Sequence, residues 1–303
     1  MSETVAYLVG GDNWVPCFVS VYSLLENNQE TGFRVAIFSE EDQDNRFFAN
    51  ATLLDDVHDN FSLEFIKIPQ KEFDDLPDVP EQNAIFPKAM YAKLLIPELF
   101  PDPPDKFLYL DADTLIIKSL DKLFNYSLAK STVAAAPDIK NRIAGLSVGL
   151  ERQYFNAGVM YVNASKWIDT NVTDACLDFI RDNKPSYMDQ TALNAVLHRR
   201  DAVDIISPRF NLIRSWEENS DENISVSFDW NEISIIHYAG VPKPWHYRAK
   251  GEIHDRWVSY CDATPFDDFY PQHRNSKLVE YTEVALEPFP RLSAMAECIY
   301  QNL

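Results

Sequence analysis

Short apolar runs alternate with amphipathic or polar stretches through most of the chain, and each run stops at residues that end a strand. Residues 5–9, Val-Ala-Tyr-Leu-Val, run into Gly10-Gly11-Asp12-Asn13, the pattern of a buried parallel strand opening into a loop on the ligand side of a sheet. A helix is expected over residues 15–27, then apolar runs at 33–38 and 61–68 with a polar helical stretch starting near Glu41 between them. That alternation predicts an α/β fold, Rossmann-like, on a mostly parallel sheet flanked by helices. The acidic, Pro-rich segment 69–87 interrupts the rhythm, and its prolines predict a loop beside the site. Helix is expected again at 90–99, strand at 106–110 and 154–162, helix at 174–181 and 189–197, and a short late strand at 233–236. After Trp245 the texture turns aromatic and loses the alternation. Residues 1–246 therefore read as the main α/β unit and 247–303 as a C-terminal extension packed on it.

Composition narrows this picture. A chain of 303 residues with 46% hydrophobic content can bury one large core. Its formal charge of −20 argues against a nucleic-acid partner and against broad adhesion to anionic lipid, since both depend on Lys/Arg. No basic segment leads into an apolar stretch at the start, and no run approaches the roughly 18 apolar residues of a membrane span. The expected setting is cytoplasmic, with membrane contact at most peripheral. Cys17, Cys176, Cys261 and Cys298 are scattered without metal-site spacing and read as reduced, packed thiols.

Two segments carry chemistry. In Lys106-Phe-Leu-Tyr-Leu-Asp111-Ala-Asp113 an apolar strand ends in two acids one residue apart, which extended backbone points to the same side. Paired carboxylates at a central strand end suit a hard cation that also binds a diphosphate. Asp42-Gln43-Asp44 has the same spacing without the apolar strand, so the spacing alone says little. The segment also resembles the nucleophile motif of haloacid dehalogenase-like phosphatases, but several βα units precede it and no later strand-end acidic pair follows. The second segment is His237-Tyr-Ala-Gly240-Val-Pro-Lys243-Pro-Trp245, right after the apolar run 233–236. An imidazole, a glycine that lets backbone approach and a lysine are what a metal-bound pyrophosphate requires: third ligand, close contact and neutralised charge.

With Phe155-Asn-Ala-Gly-Val-Met160 and Asp189-Gln190, these motifs resemble glycosyltransferase family 8, which includes bacterial lipopolysaccharide galactosyl- and glucosyltransferases, glycogenin and galactinol synthase. The likeness runs over residues 5–265, to the Trp257-x-x-Tyr260 and Thr264-Pro265-Phe266 endings. It implies a GT-A fold, Mn²⁺ (or Mg²⁺) on Asp111, Asp113 and His237, UDP-glucose or UDP-galactose as donor, a glycan or glycolipid acceptor and retention of configuration. Val9, Gly11, Asn13 and Trp14 fall where members contact uridine, with Trp14 expected to stack on uracil. Some members carry an acid at the position of Gly11. Lys93, Ala112, Asn156, Ala157, Asp189 and Gln190 match the donor pocket, and Gly240 and Lys243 the diphosphate. Asp189, Gln190 and Lys243 are the implied catalytic residues, with Gln190 at the position of a candidate nucleophile. A glycogenin-like self-glucosylating protein using Tyr281 or Tyr300, and a non-catalytic nucleotide-sugar-binding protein, are the alternatives.

Overall fold

The computed structural model describes residues 2–79, 88–138, 149–150, 154–213, 230–240, 243–246, 251–267 and 269. Its strands are β1 (Ser2–Leu8), β2 (Gly32–Ser39), β3 (Phe61–Lys67), β4 (Lys106–Asp111), β5 (Thr114–Ile116), β6 (Val133–Pro137), β7 (Phe155–Asn163), β8 (Val203–Ile205), β9 (Leu212–Ile213) and β10 (Ile235–His237). The main sheet has the order β3-β2-β1-β4-β7-β6-β8, and a small second sheet has the order β5-β10-β9. β3, β2, β1 and β4 are parallel, β7 runs antiparallel to both β4 and β6, and β8 is parallel to β6. The sheet is thus mostly parallel, as the strand-helix alternation predicts.

Both faces of this sheet are covered, which is why β1 reads as an unbroken apolar run: Val5, Ala6 and Tyr7 are all fully buried. Side-chain alternation divides the interior. Val5, Tyr7, Val35, Ile37, Leu108 and Leu110 pack with helix Trp14–Glu26 on one side. Ala6, Ala36, Phe38, Phe107 and Tyr109 face the other, packed with Cys176 and Ile180 of helix Val172–Asn183 and Leu193 and Leu197 of helix Met188–Arg199.

Several elements differ from the sequence reading, each for a local reason. The helix expected at 90–99 is a tight 3₁₀ segment, Lys88–Leu95, followed by a fresh α-turn, Ile96–Leu99. Pro97 has no N–H to donate, so the chain restarts with the proline in the first turn, where no donor is needed. Within the expected loop 69–87, Pro69 caps a short helix, Gln70–Asp74, while 80–87 lies outside the described residues. The helical stretch expected near Glu41 starts at Asn45, because Asp44 accepts from Phe47 N as its N-cap. Asp42 pairs with Lys67, so the second Asp-x-Asp does structural work.

Of residues 247–303, those described include helix Glu252–Asp262, whose buried Trp257 lies 5.0 Å from Trp245 between ring centroids. Phe266 meets Phe18 of helix Trp14–Glu26 edge-on at 4.9 Å. Tyr281, Tyr300 and Cys298 lie outside the described residues. Cys17 and Cys176 are buried free thiols whose pKa burial pushes up, away from the reactive thiolate, and Cys261 is buried too, its Sγ donating to Phe266 O at 3.4 Å. No described helix is long and apolar enough to cross a membrane.

Candidate active site

Strand register assembles the site. Leu8 of β1 pairs with Asp111, so the acid pair opens where β1 and β4 end together. Beyond Asp113 the chain turns into β5, which pairs antiparallel with β10 so that Thr114 lies opposite His237, and Tyr238 N donates to Asp113 O at 3.0 Å. His237 is thereby delivered to the acids from a different sheet. Its Nε2 lies 3.3 Å from Asp113 Oδ1 and 3.7 Å from Asp111 Oδ2, and the three ligating atoms fall within 4.8 Å of one another.

The remaining carboxylate oxygens are held from behind. Asp111 Oδ1 accepts from the Tyr109 hydroxyl at 2.7 Å and pairs with Lys93 Nζ at 3.0 Å, leaving Oδ2 toward the histidine. Asp113 Oδ2 accepts from Lys243 Nζ, leaving Oδ1 inward. Burial alone would raise the Asp113 carboxyl, but above all the Lys243 ammonium holds it far below the usual carboxylate range. Burial would lower the Lys93 ammonium, yet Asp111 and Asp189 outweigh it and raise its pKa. For the Tyr109 phenol, burial and then Asp111 push the pKa well up, so it remains a neutral donor.

A hydrogen-bond chain sets the tautomer of His237, and its polarity follows from its acidic end. A carboxylate at Asp138 only accepts, so the Asn156 atom facing Asp138 Oδ2 at 3.3 Å is the donor Nδ2. Asn156 Oδ1 then accepts, from Gly158 N at 2.9 Å and from Asn211 Nδ2 at 3.0 Å. That leaves Asn211 Oδ1 to accept from His237 Nδ1 at 3.1 Å, which puts a ring proton on Nδ1 and leaves Nε2 as the nitrogen that faces the acids. Two carboxylate oxygens and an imidazole nitrogen form a donor set that fits a divalent cation. Asn211→Ala should therefore weaken Mn²⁺ binding by about 10–100-fold, the usual cost of losing a group that orients a ligand. Calorimetric titration with Mn²⁺ measures it, and wild-type affinity would show the tautomer to be set some other way.

β7 forms the floor. A Cβ on Gly158 would lie 2.2 Å from His237 Cε1 and 2.7 Å from Asp111 Oδ2, so only glycine lets the backbone pass beneath the ligands. Lys93 Nζ reaches Ala157 O at 3.3 Å and Asp189 Oδ2 at 3.6 Å. Asp189 opens helix Met188–Arg199 just after Met188, a non-glycine residue at φ +37°, an uncommon backbone state that aims the first turn into the site. Burial raises the Asp189 carboxyl, with Lys93 opposing. Gln190 Oε1 accepts from Ala157 N at 3.1 Å and Asn156 Nδ2 at 3.2 Å, and its Nε2 donates to Asp138 Oδ2 at 3.0 Å.

The structure thus brings together Asp111, Ala112, Asp113, Lys93, Asn156, Ala157, Asp189, Gln190, His237 and Lys243, all named from sequence. Gly240, three residues past His237, has φ +81°. Val9, Gly11 and Asn13 lie at the end of β1, with Val9 buried and Gly11 and Asn13 exposed. Trp14 is 7% exposed, its ring packed against Phe47, Phe48 and Phe65. Sequence reasoning missed Tyr109, Asp138, Asn211 and the steric need for Gly158. The visible signal for Asn211 is one amide in an apolar stretch, between Phe210 and Leu212.

This architecture defines a class, the GT-A glycosyltransferases. The solved structure of the galactosyltransferase LgtC in complex with donor and acceptor sugar analogs has the same fold, with a TM-score of 0.73 at 22% identity over 87% of this chain and 96% of that one. The profile of glycosyl transferase family 8 matches residues 4–249, and the chain belongs to that family. Among curated relatives, a lipopolysaccharide 1,2-glucosyltransferase of Escherichia coli is 29% identical over 83% of this chain and 73% of its own length. A lipopolysaccharide 1,3-galactosyltransferase of Salmonella typhimurium strain LT2 is 26% identical over 80% of this chain and 72% of its own.

Proposed function

We propose that the chain transfers a hexose, glucose or galactose, from a UDP-sugar to a hydroxyl of a glycan or glycolipid, with retention and with Mn²⁺ or Mg²⁺ on Asp111, Asp113 and His237. The observation that carries the reading is the convergence of those three side chains from two sheets, with Lys243 on the same carboxylate. The glucosyl- and galactosyltransferase names of the relatives support a hexose donor and a lipopolysaccharide-type acceptor.

In this reaction the bond from C1 to the diphosphate oxygen breaks, leaving positive charge on the sugar and negative charge on UDP. A bound divalent ion supplies Lewis-acid stabilisation of that departing charge. Lys243, held on the Asp113 carboxylate, would add a fixed positive charge that needs no rearrangement of water. Lys93 and Asp189 line the sugar side, where paired charges can orient hydroxyls. Gln190 is better suited to positioning than to attack. Its carbonyl oxygen already accepts two N–H groups and its amino group is committed to Asp138, which withdraws the lone pairs a nucleophile needs. The acceptor oxygen then attacks C1 from the departing face, and its proton passes to the β-phosphate oxygen released by the same bond cleavage.

Incubation of the purified chain with UDP-glucose, UDP-galactose and UDP-N-acetylhexosamine, with Mn²⁺ or with a chelator, tests this. UDP release is expected from a UDP-hexose, lost on chelation and restored by Mn²⁺. Equal release with and without metal, or none from any donor, would sink the reading.

A further inference from the structure

The loop after β1 holds a carboxylate that none of the chemistry above employs. Glu41, just past the end of β2, accepts from Gly11 N on Oε1 at 3.0 Å and from the Trp14 indole N–H on Oε2 at 3.2 Å. These bonds fasten both oxygens across the Gly10–Gly11 turn while the residue itself stays exposed, and a carboxylate oxygen that accepts one hydrogen bond can accept a second. Gly11 leaves that space open: at φ +57° it adopts a backbone state that suits glycine, and a Cβ there would meet no atom within 4 Å. Trp14, packed into the core, offers the loop its polar edge rather than its face.

The position matters as much as the geometry. β1 lies between β2 and β4, with Leu8 paired to Phe38 on one side and to Asp111 on the other, so the chain leaving β2 toward Glu41 and the acid pair after β4 open at the same end of the sheet. A nucleotide with its diphosphate at Asp111 and Asp113 has two ways to lie. Toward β7 it meets Lys93, Asp189 and Asn156, paired polar groups suited to hydroxyls. Toward β2 it meets the open Gly11 backbone and a single anchored carboxylate.

Resting on the UDP-sugar reading, we propose that Glu41 reads the base of the donor: its carboxylate accepts the imide N–H of uracil. Uracil presents N–H at ring position 3, whereas cytosine presents a lone pair there, which a carboxylate repels. The acid that selects the base then comes from β2, while the loop after β1 supplies only backbone and an indole donor to hold it.

Equilibrium binding of UDP and CDP in the presence of Mn²⁺, to wild type, Glu41→Ala and Glu41→Gln, tests this. Wild type should prefer UDP, and Glu41→Ala should lose about tenfold or more of that preference, the usual cost of a hydrogen bond to a charged group. Glu41→Gln, which keeps the shape and one acceptor oxygen, should fall between. If Glu41 only braces Gly11 and Trp14, UDP and CDP would weaken together and their ratio would stay at the wild-type value, which overturns the proposal even where the melting temperature falls. A wild type that ignores UDP altogether would instead remove the UDP-sugar reading itself.

Discussion

Asp111→Asn is expected to lower UDP-sugar turnover by at least about 10³-fold while the protein keeps its fold. The substitution preserves shape and the pairing of β4 with β1, so the sheet has no reason to change. It removes one of the two negative charges that face His237, and a neutral amide is a poor ligand for a hard cation. It also leaves the buried Lys93 ammonium with Asp189 as its remaining close carboxylate, at 3.6 Å, where it had Asp111 at 3.0 Å as well. Mn²⁺ affinity and turnover should therefore fall together, the first read by calorimetry and the second by UDP release. A thermal melt near that of the wild type establishes that the loss is chemical. Turnover at the wild-type level in a variant that no longer binds Mn²⁺ would refute the metal assignment.

The parts of this site that the residue pattern alone made legible share a physical property: each sits at the end of an apolar run, whereas Lys93, Asn156, Asp189 and Gln190 were named only through the family resemblance. Asp111 and Asp113 follow β4, His237 closes β10, and Gly11 follows β1. A strand buried on both faces leaves a long hydrophobic signature, and the first polar residues after it must lie at the sheet edge where ligands bind. The supporting residues have no such signature. Asn211 sits beside a strand of two residues, and Asp138 follows β6, whose Val-Ala-Ala-Ala-Pro composition favours helix as readily as strand. β6 is a strand because β7 and β8 pair with it on either side, and pairing of that kind is invisible to local pattern. The same holds for Glu41. It stands in a run of polar residues, and its partners Gly11 and Trp14 are 30 and 27 positions away, brought to it only by parallel pairing of β1 with β2. The packing of Trp14 was equally hidden: Phe47, Phe48 and Phe65, which its ring meets, come from 33 or more positions away.

Gly158→Ala should be nearly as damaging as removal of a ligand, although residue 158 has no side chain to lose. An added methyl would lie 2.2 Å from His237 Cε1, 2.9 Å from His237 Nδ1 and 2.7 Å from Asp111 Oδ2, all far inside van der Waals contact. None of these atoms can yield cheaply. His237 is buried on β10 and held through Nδ1 by Asn211, and Asp111 is held by Tyr109 and Lys93. The alternative is for β7 to move, but β7 pairs with both β4 and β6 and is buried along nearly its whole length. Overpacking of this kind costs about 1–3 kcal/mol, and whichever partner gives way, the histidine and the acid can no longer meet one ion in their present geometry. The expected result is a folded protein with a lowered melting temperature, Mn²⁺ affinity reduced by at least about 10-fold and UDP-sugar turnover reduced in parallel. Gly32→Ala is the matched control. Its Cβ would approach Asn60 Nδ2 at 2.5 Å, an equally close contact, but Asn60 is exposed and can swing away, so Mn²⁺ binding should stay at the wild-type level. Were Gly158→Ala to bind Mn²⁺ as the wild type does, β7 could not be the rigid floor on which the ligands rest.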